Sequence, residues 1–224
     1  MIRNLIWMAF AGCLAGAGVA AAQEELHCEG MAHGLSVSAP GDTPAALGLV
    51  TSLFPPLTSN FVMNEYTWKL AGLVSRGSTS SDGKVFSTDY DVTHATLTIY
   101  EDPSQDARPT YYNCPAGAAA NDPAYGNGTV YLSGPLASFS TSYDSNAGSG
   151  SMVITLNWDG GEHLGELSPG RRAVSPPGEH LTLSTTFACI PLGEGYTEAV
   201  TARFFEPATP APRTTWGQLR KMYR

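Results

Sequence analysis

The tetrapeptide Gly-Glu-His-Leu occurs twice, as Gly161-Glu162-His163-Leu164 and Gly178-Glu179-His180-Leu181. Imidazole nitrogen and carboxylate oxygen are fitting ligands for Zn2+ or a similar divalent ion. If 168–178 forms a long hairpin loop, the copies face each other on neighbouring strands. Glu162, His163, Glu179 and His180 then become the candidate metal ligands, with Glu166 as base or extra ligand. Alternation limits this arrangement, because adjacent strand residues point to opposite faces and each copy offers only one of its pair to a shared centre. The competing reading places all four at loop edges, facing water.

A second group is acidic: Asp82, Asp89, Asp91, Glu101, Asp102 and Asp106. Ca2+ favours several oxygen ligands, and loop carboxylates of this kind supply them. The spacing of an EF-hand is missing, and Asp82-Gly83 reads as a hairpin turn. The expectation is therefore a chain without a cofactor, with Ca2+ or Zn2+ as the alternatives. Motifs for catalysis are sparse: there is no HExxH and no Gly-x-Ser-x-Gly elbow. Tyrosines are the best material for ligand binding, since a phenol ring stacks on the apolar face of a sugar. Most lie in strand-like runs and are expected to pack, whereas Tyr111, Tyr112 and Tyr125 fall in a Pro- and Ala-rich connection and are expected to be exposed as a glycan-binding surface.

Positioning begins with the leader. Residues 1–22 carry one early cation, Arg3, an apolar run, and the small triplet Ala20-Ala21-Ala22 before Gln23, which together read as a cleavable signal peptide. The protein is thus expected to be secreted or at the cell surface, with a periplasmic location or a lipoprotein acylated at Cys13 as alternatives. No later apolar run is long enough to span a bilayer as a helix. Cys28, Cys114 and Cys189 are scattered, so one bridge in any of three pairings is expected, with one thiol left over.

Charge is uneven along the chain. Between 23 and 206 there are 20 acidic residues and seven basic ones, while Arg213, Arg220, Lys221 and Arg224 make the end basic. The body is expected to repel nucleic acid. Pro207-Ala208-Thr209-Pro210-Ala211-Pro212 opens an extended linker, 207–213, before a tail at 214–224. Thr215 and Gln218 form a capping box there, and Trp216, Leu219 and Tyr223 recur at helical spacing beside Arg220 and Lys221. This predicts a short amphipathic helix that a sorting receptor or surface component would recognise. In layout the arrangement resembles the C-terminal sorting tails of some secreted bacterial proteins.

The 23–206 body reads as all-β: short β-branched and aromatic runs are divided by Gly, Pro, Asn, Asp and Ser. Strands are predicted over 35–39, 65–75, 84–90, 95–100, 129–132, 137–143, 151–158, 181–189 and 199–205. Leu97, Ile99 and Glu101 share one face, as do Met152, Ile154 and Leu156. Residues 45–54 are assigned to a short helix or turn ended by Pro55-Pro56. The similar Gly-interrupted stretches at 70–75 and 132–138 are read as bulged strands and not as a repeat. An antiparallel β-sandwich results, with a β-barrel as the alternative. The functional expectation is a non-enzymatic structural or binding module. Its rivals are a carbohydrate-active or metal-assisted hydrolase built on the two Glu-His pairs and a lipocalin-like carrier.

Overall fold

A computed structural model describes residues 24–107, 123–156, 158–167, 181–189 and 198–205. The leader with Cys13, Tyr111, Tyr112, Cys114, Glu179, His180, the linker and the tail residues Trp216, Leu219, Arg220, Lys221 and Tyr223 lie outside the described residues. Ten strands follow in chain order: β1 (Glu24–His33), β2 (Ala45–Leu53), β3 (Glu65–Ala71), β4 (Val74–Thr79), β5 (Val85–Asp91), β6 (Thr96–Asp102), β7 (Thr129–Asp144), β8 (Ser149–Leu156), β9 (Leu181–Cys189) and β10 (Glu198–Phe205). Two 3₁₀ turns, Pro123–Tyr125 and Glu162–Glu166, are the only helical pieces among the described residues. The body is all-β and antiparallel, as its alternation predicts. No helix among the described residues is long and apolar enough to cross a membrane.

The strands pair in the order β4-β5-β7-β6-β3-β2-β1-β10-β9-β8, and β8 pairs again with β7. Pairings from β7 through β6, β3, β2, β1, β10, β9 and β8 thus lead back to β7, while β4 and β5 branch from β7, and the outer side of β4 bonds through Ser75 and Ser78 to the 38–42 connection. β7 makes this possible because it is 16 residues long. Its 129–135 half pairs with β6, its 136–144 half with β8, and its 140–144 end also with β5. Register shifts opposite Ile99/Tyr100 and between Leu136 and Ser138 bracket Pro135. Such bulges bend a strand and increase its twist. The sequence reading divided this strand at Gly134-Pro135; the structure bends it there and keeps it paired.

Three other expectations are corrected. Residues 45–54 are neither helix nor turn, since Ala45–Leu53 is a central strand between β1 and β3. Residues 35–39 make no strand but a bent connection that Ser38 pins, through its amide to Ser78 Oγ at 2.8 Å and its hydroxyl to Ser75 Oγ at 2.7 Å. The 65–75 run splits into β3 and β4 at Gly72, whose φ of +84° is left-handed and suits glycine.

The core lies between the inward faces of this sheet. Tyr66, Trp68 and Leu70 on β3 stand opposite Glu101, Ile99 and Leu97 on β6. All but Glu101 meet Leu132, Ile154, Leu156 and Val200 in one buried cluster. A void of about 10 Å3 remains between Cys28, Trp68, Leu97, Met152, Ile154 and Ala202. That is no more than about one water-sized sphere, and its apolar lining offers a water no hydrogen-bond partners. Cys28 is a buried free thiol that burial pushes above its ordinary pKa, so the two expected pairings that use it are not formed.

One close approach sets the packing of β1 on β2. Gly30 and Gly48 are register partners, and Trp68 pairs with Gly48 on the other side. A methyl group on Gly48 would land on the Glu29 carbonyl, and one on Gly30 would come within 2.7 Å of the Trp68 ring. With both glycines bare, the indole Nε1–H donates to the Glu29 carbonyl at 3.1 Å. Gly48→Ala is expected to destabilise the protein by about 2–3 kcal/mol in urea unfolding, because backbone must yield to the new methyl. An unchanged unfolding midpoint would refute the close approach.

Candidate functional site

The inward face of β6 ends in a carboxylate. Glu101 follows Leu97 and Ile99 on that face and pairs with Tyr66, so the apolar row closes in a polar rim. The Tyr66 hydroxyl donates to Glu101 Oε1 at 2.7 Å, and the Asn64 side-chain amide donates to the same oxygen. Glu101 Oε2 faces His163 Nε2 at 3.6 Å.

His163 arrives from the other side, on the 3₁₀ turn Glu162–Glu166. An antiparallel bridge between Ser133 and Gly160 pins the entry to this turn on β7. Gly161, at φ +102°, then brings the backbone so close that a Cβ would strike the Tyr131 carbonyl. Side chains at i and i+3 eclipse in a 3₁₀ helix, which is why His163 and Glu166 meet. His163 Nδ1 lies 3.0 Å from Glu166 Oε1, and the imidazole stacks on Tyr131 with centroids 4.0 Å apart and planes 20° apart. A protonated ring can donate to both carboxylates, a neutral one to a single carboxylate.

The loop 54–64 closes the cluster. Thr58 donates its hydroxyl to Glu166 Oε1 at 2.6 Å and its amide to Oε2 at 2.8 Å. Its carbonyl accepts from the Tyr131 hydroxyl at 2.6 Å, and the Asn60 amide donates to the Tyr66 hydroxyl at 2.9 Å. Burial pulls the Glu166 carboxyl up, yet the two Thr58 bonds and His163 outweigh it and leave Glu166 below its usual range. Burial raises both Tyr66 and Tyr131, with neighbouring carboxylates adding to it, so the phenols remain donors at neutral pH. In chemical terms this is an imidazole between two acids, the kind of set that moves protons. Here three of the four carboxylate oxygens already accept a hydrogen bond and the fourth faces the ring.

Glu162, the predicted partner of His163 as a ligand, is exposed, and it is Glu166 and Glu101 that lie beside the imidazole. The first Glu-His pair sits on a 3₁₀ turn and not on a strand. Tyr125, expected at the surface, is only 1% exposed and packs with Met31, Leu47 and Ala107 on the outer side of the sheet, so its ring has no free face for a sugar. The sequence reading weighed Glu101 and Glu166 but missed their convergence on His163, and it missed Thr58 altogether. Glu101 had one usable signal, its place on the same face as Leu97 and Ile99. Thr58 had none, because it sits in a loop.

Three acids also converge on the outside of β3 and β6. Glu65, Asp102 and Asp106 bring one oxygen each within 4.8 Å of the others. Glu65 and Asp102 are register partners, and 103–107 folds back so that the Ala107 amide donates to Glu65 at 2.7 Å. Of the six acids considered for Ca2+, only Asp102 and Asp106 join this set. Asp82 instead holds the β4–β5 turn by accepting from the Lys84 and Val85 amides, and Asp91 accepts from Thr93. These oxygens are the hard-cation donors among the described residues. Burial raises the Glu65 pKa first, and the charges of Asp102 and Asp106 raise it further.

Beside this trio the outer surface opens into a groove of about 540 Å3, between Pro44 and Ala45 on one side and Lys69, Thr96, Thr98 and Tyr100 on the other. No family model, no curated protein and no solved structure matches the chain.

Glu166 and Glu65 have shifts of opposite sign, and their neutral variants are expected to behave oppositely. A lowered carboxyl contributes stability above its unfolded pKa and loses it as pH falls through the folded value. Glu166→Gln is therefore expected to cost about 1 kcal/mol at pH 7, with the gap to wild type closing in acid. A raised carboxyl does the reverse. Glu65→Gln keeps the acceptor for Ala107 and removes the charge, so it should gain about 0.5 kcal/mol at pH 7 and nothing in acid. Denaturant midpoints of both variants across pH 3 to 7 check the two signs, and gaps independent of pH would contradict them.

Proposed function

We propose that this chain is exported and works as a non-enzymatic binding module, displayed or sorted through its basic tail. The observation that carries this reading is that three of the four carboxylate oxygens of the His163 cluster accept hydrogen bonds from the protein itself. Its carboxylates are occupied in holding the 54–64 loop and the 3₁₀ turn against the sheet, which is the work of a latch and not of a proton shuttle. A catalytic pair needs acceptor capacity left for substrate. A lipocalin-like carrier would need an internal cavity of several hundred Å3, and the void beside Cys28, Trp68 and Met152 is far smaller. The circuit of pairings favours the barrel alternative over two separate layers.

Two surface features support a binding role. One is the open groove on the outer face. The other is the tip of the latched loop, Phe61-Val62-Met63, whose central residue is 85% exposed. Apolar residues held out in this way suit contact with a surface component.

The test uses the full chain expressed in an exporting host, beside a version ending at Arg213. We expect the full chain to stay with the cell surface and the shortened one to pass into the medium; equal distribution would dismiss sorting by the tail. His163→Gln and Glu166→Gln are expected to lower thermal stability and leave ligand retention unchanged. A polysaccharide-cleaving activity present in wild type and lost in both variants would install the hydrolase instead.

A further inference from the structure

The groove on the outer face has a composition that the rest of the body does not share. Between 23 and 206 acids outnumber bases by 20 to seven, yet among the described residues no Asp or Glu lines the groove. Its cationic side chain is Lys69, with His33 at the far end. Lys69 is half-buried and forms no ion pair with any described residue. Among the described residues this ammonium thus has no carboxylate partner, in a chain rich in carboxylates, and is open to an anionic ligand.

Strand register explains how the groups assemble. Thr67, Lys69 and Ala71 on β3 stand opposite Tyr100, Thr98 and Thr96 on β6, all on the outward side. Lys69 and Tyr100 are therefore diagonal neighbours, within reach for long side chains. Both lie against Gly126: a Cβ there would be 3.3 Å from Lys69 Nζ and 3.8 Å from Tyr100 Cζ. A charge and an aromatic ring thus sit side by side at one end of the groove. Threonine hydroxyls continue along its wall, and Pro44, Ala45 and Ala71 supply an apolar border.

We propose that this groove binds an acidic sugar, with the Lys69 ammonium taking the carboxylate, Tyr100 meeting the ring's C–H face, and Thr96 and Thr98 bonding its hydroxyls. The proposal rests on the binding-module reading and names the ligand class. A single ammonium balances one negative charge, which fits a carboxylate better than a phosphate dianion. The volume suits a mono- or disaccharide, inside the range of about 300–1,000 Å3 common to small-ligand sites. Aromatic rings with a few placed polar groups are the usual means of fixing such a ligand.

The experiment is a titration of the full-length protein with glucuronate, glucose and acetate, followed by amide chemical shifts. Glucuronate is expected to bind with a Kd of about 1 mM and to shift the β3 and β6 amides around Lys69 and Tyr100. Glucose and acetate, each lacking half of the recognised chemistry, are expected to bind at least about tenfold more weakly. Lys69→Met keeps the aliphatic stem and should reduce glucuronate to the level of glucose, while Lys69→Arg keeps most of the affinity. Thermal melts of both variants exclude unfolding as the cause. Equal affinity for glucose and glucuronate, unaffected by Lys69→Met, would overturn the acidic-sugar assignment and leave the binding module standing. Shifts confined to other strands, or none with any probe, would overturn the groove as a site.

Discussion

The hydrogen-bonding groups of β7 serve three neighbouring strands, and the bend that permits this organises the rest of the molecule. Every backbone N–H and C=O withdrawn from water needs a partner. A straight strand of 16 residues would offer its whole length to one neighbour on each edge. The bulges around Pro135 turn the second half of β7 away from β6, toward β8 on one edge and β5 on the other. Pro135, which lacks an amide hydrogen, sits where the ladder is changing partners. The return of β8 onto β7 then completes the circuit of pairings, and the β4–β5 hairpin branches from it.

That bend also positions the polar rim. Tyr131 lies on the half of β7 that faces β6, so its ring reaches Tyr66 edge-on at 5.3 Å and supports His163 from below. The bridge from Ser133 to Gly160 starts from the same half. Tyr66 and Glu101 continue the inward rows of β3 and β6 past their last apolar residues. Inside, indole and aliphatic groups exclude water; at the rim, the same alternation delivers phenol and carboxylate. The loop 54–64 is fastened to both, through Thr58, Asn60 and Asn64. A network in which each donor has its acceptor rigidifies a structure, and here it rigidifies the cover of one end of the core.

How well the residues announced these elements varied with how completely each face was buried. β6 and β8 were legible because one face of each is dry and the other wet, which writes a period of two into the chain. β2 was misread because both of its faces are covered. Its inner side meets the core, while Leu47 on its outer side lies under Tyr125 and Ala107, so apolar residues run together and alternation is lost. β1 was missed for a related reason: Glu-Glu-Leu-His-Cys-Glu-Gly-Met-Ala-His is poor in β-branched residues and is held by its neighbours β2 and β10. Tyr125 was misplaced because a Pro-rich connection suggests exposure, whereas this one folds back over the sheet and buries its tyrosine.

Composition and alternation on their own determined an acidic, all-β antiparallel body, the inward row that carries Glu101 behind Leu97 and Ile99, and the turn at Asp82-Gly83. Those are local matters, settled by side-chain period and backbone preference over a few residues. Only tertiary structure decided that His163 meets Glu101 and Glu166 in place of Glu162, that Cys28 stays a thiol, and that Lys69 and Tyr100 share a groove. Each of these depends on which strands become neighbours and in what register. That choice is made by hydrogen-bond satisfaction and core packing between segments far apart in the chain, where no local pattern records it.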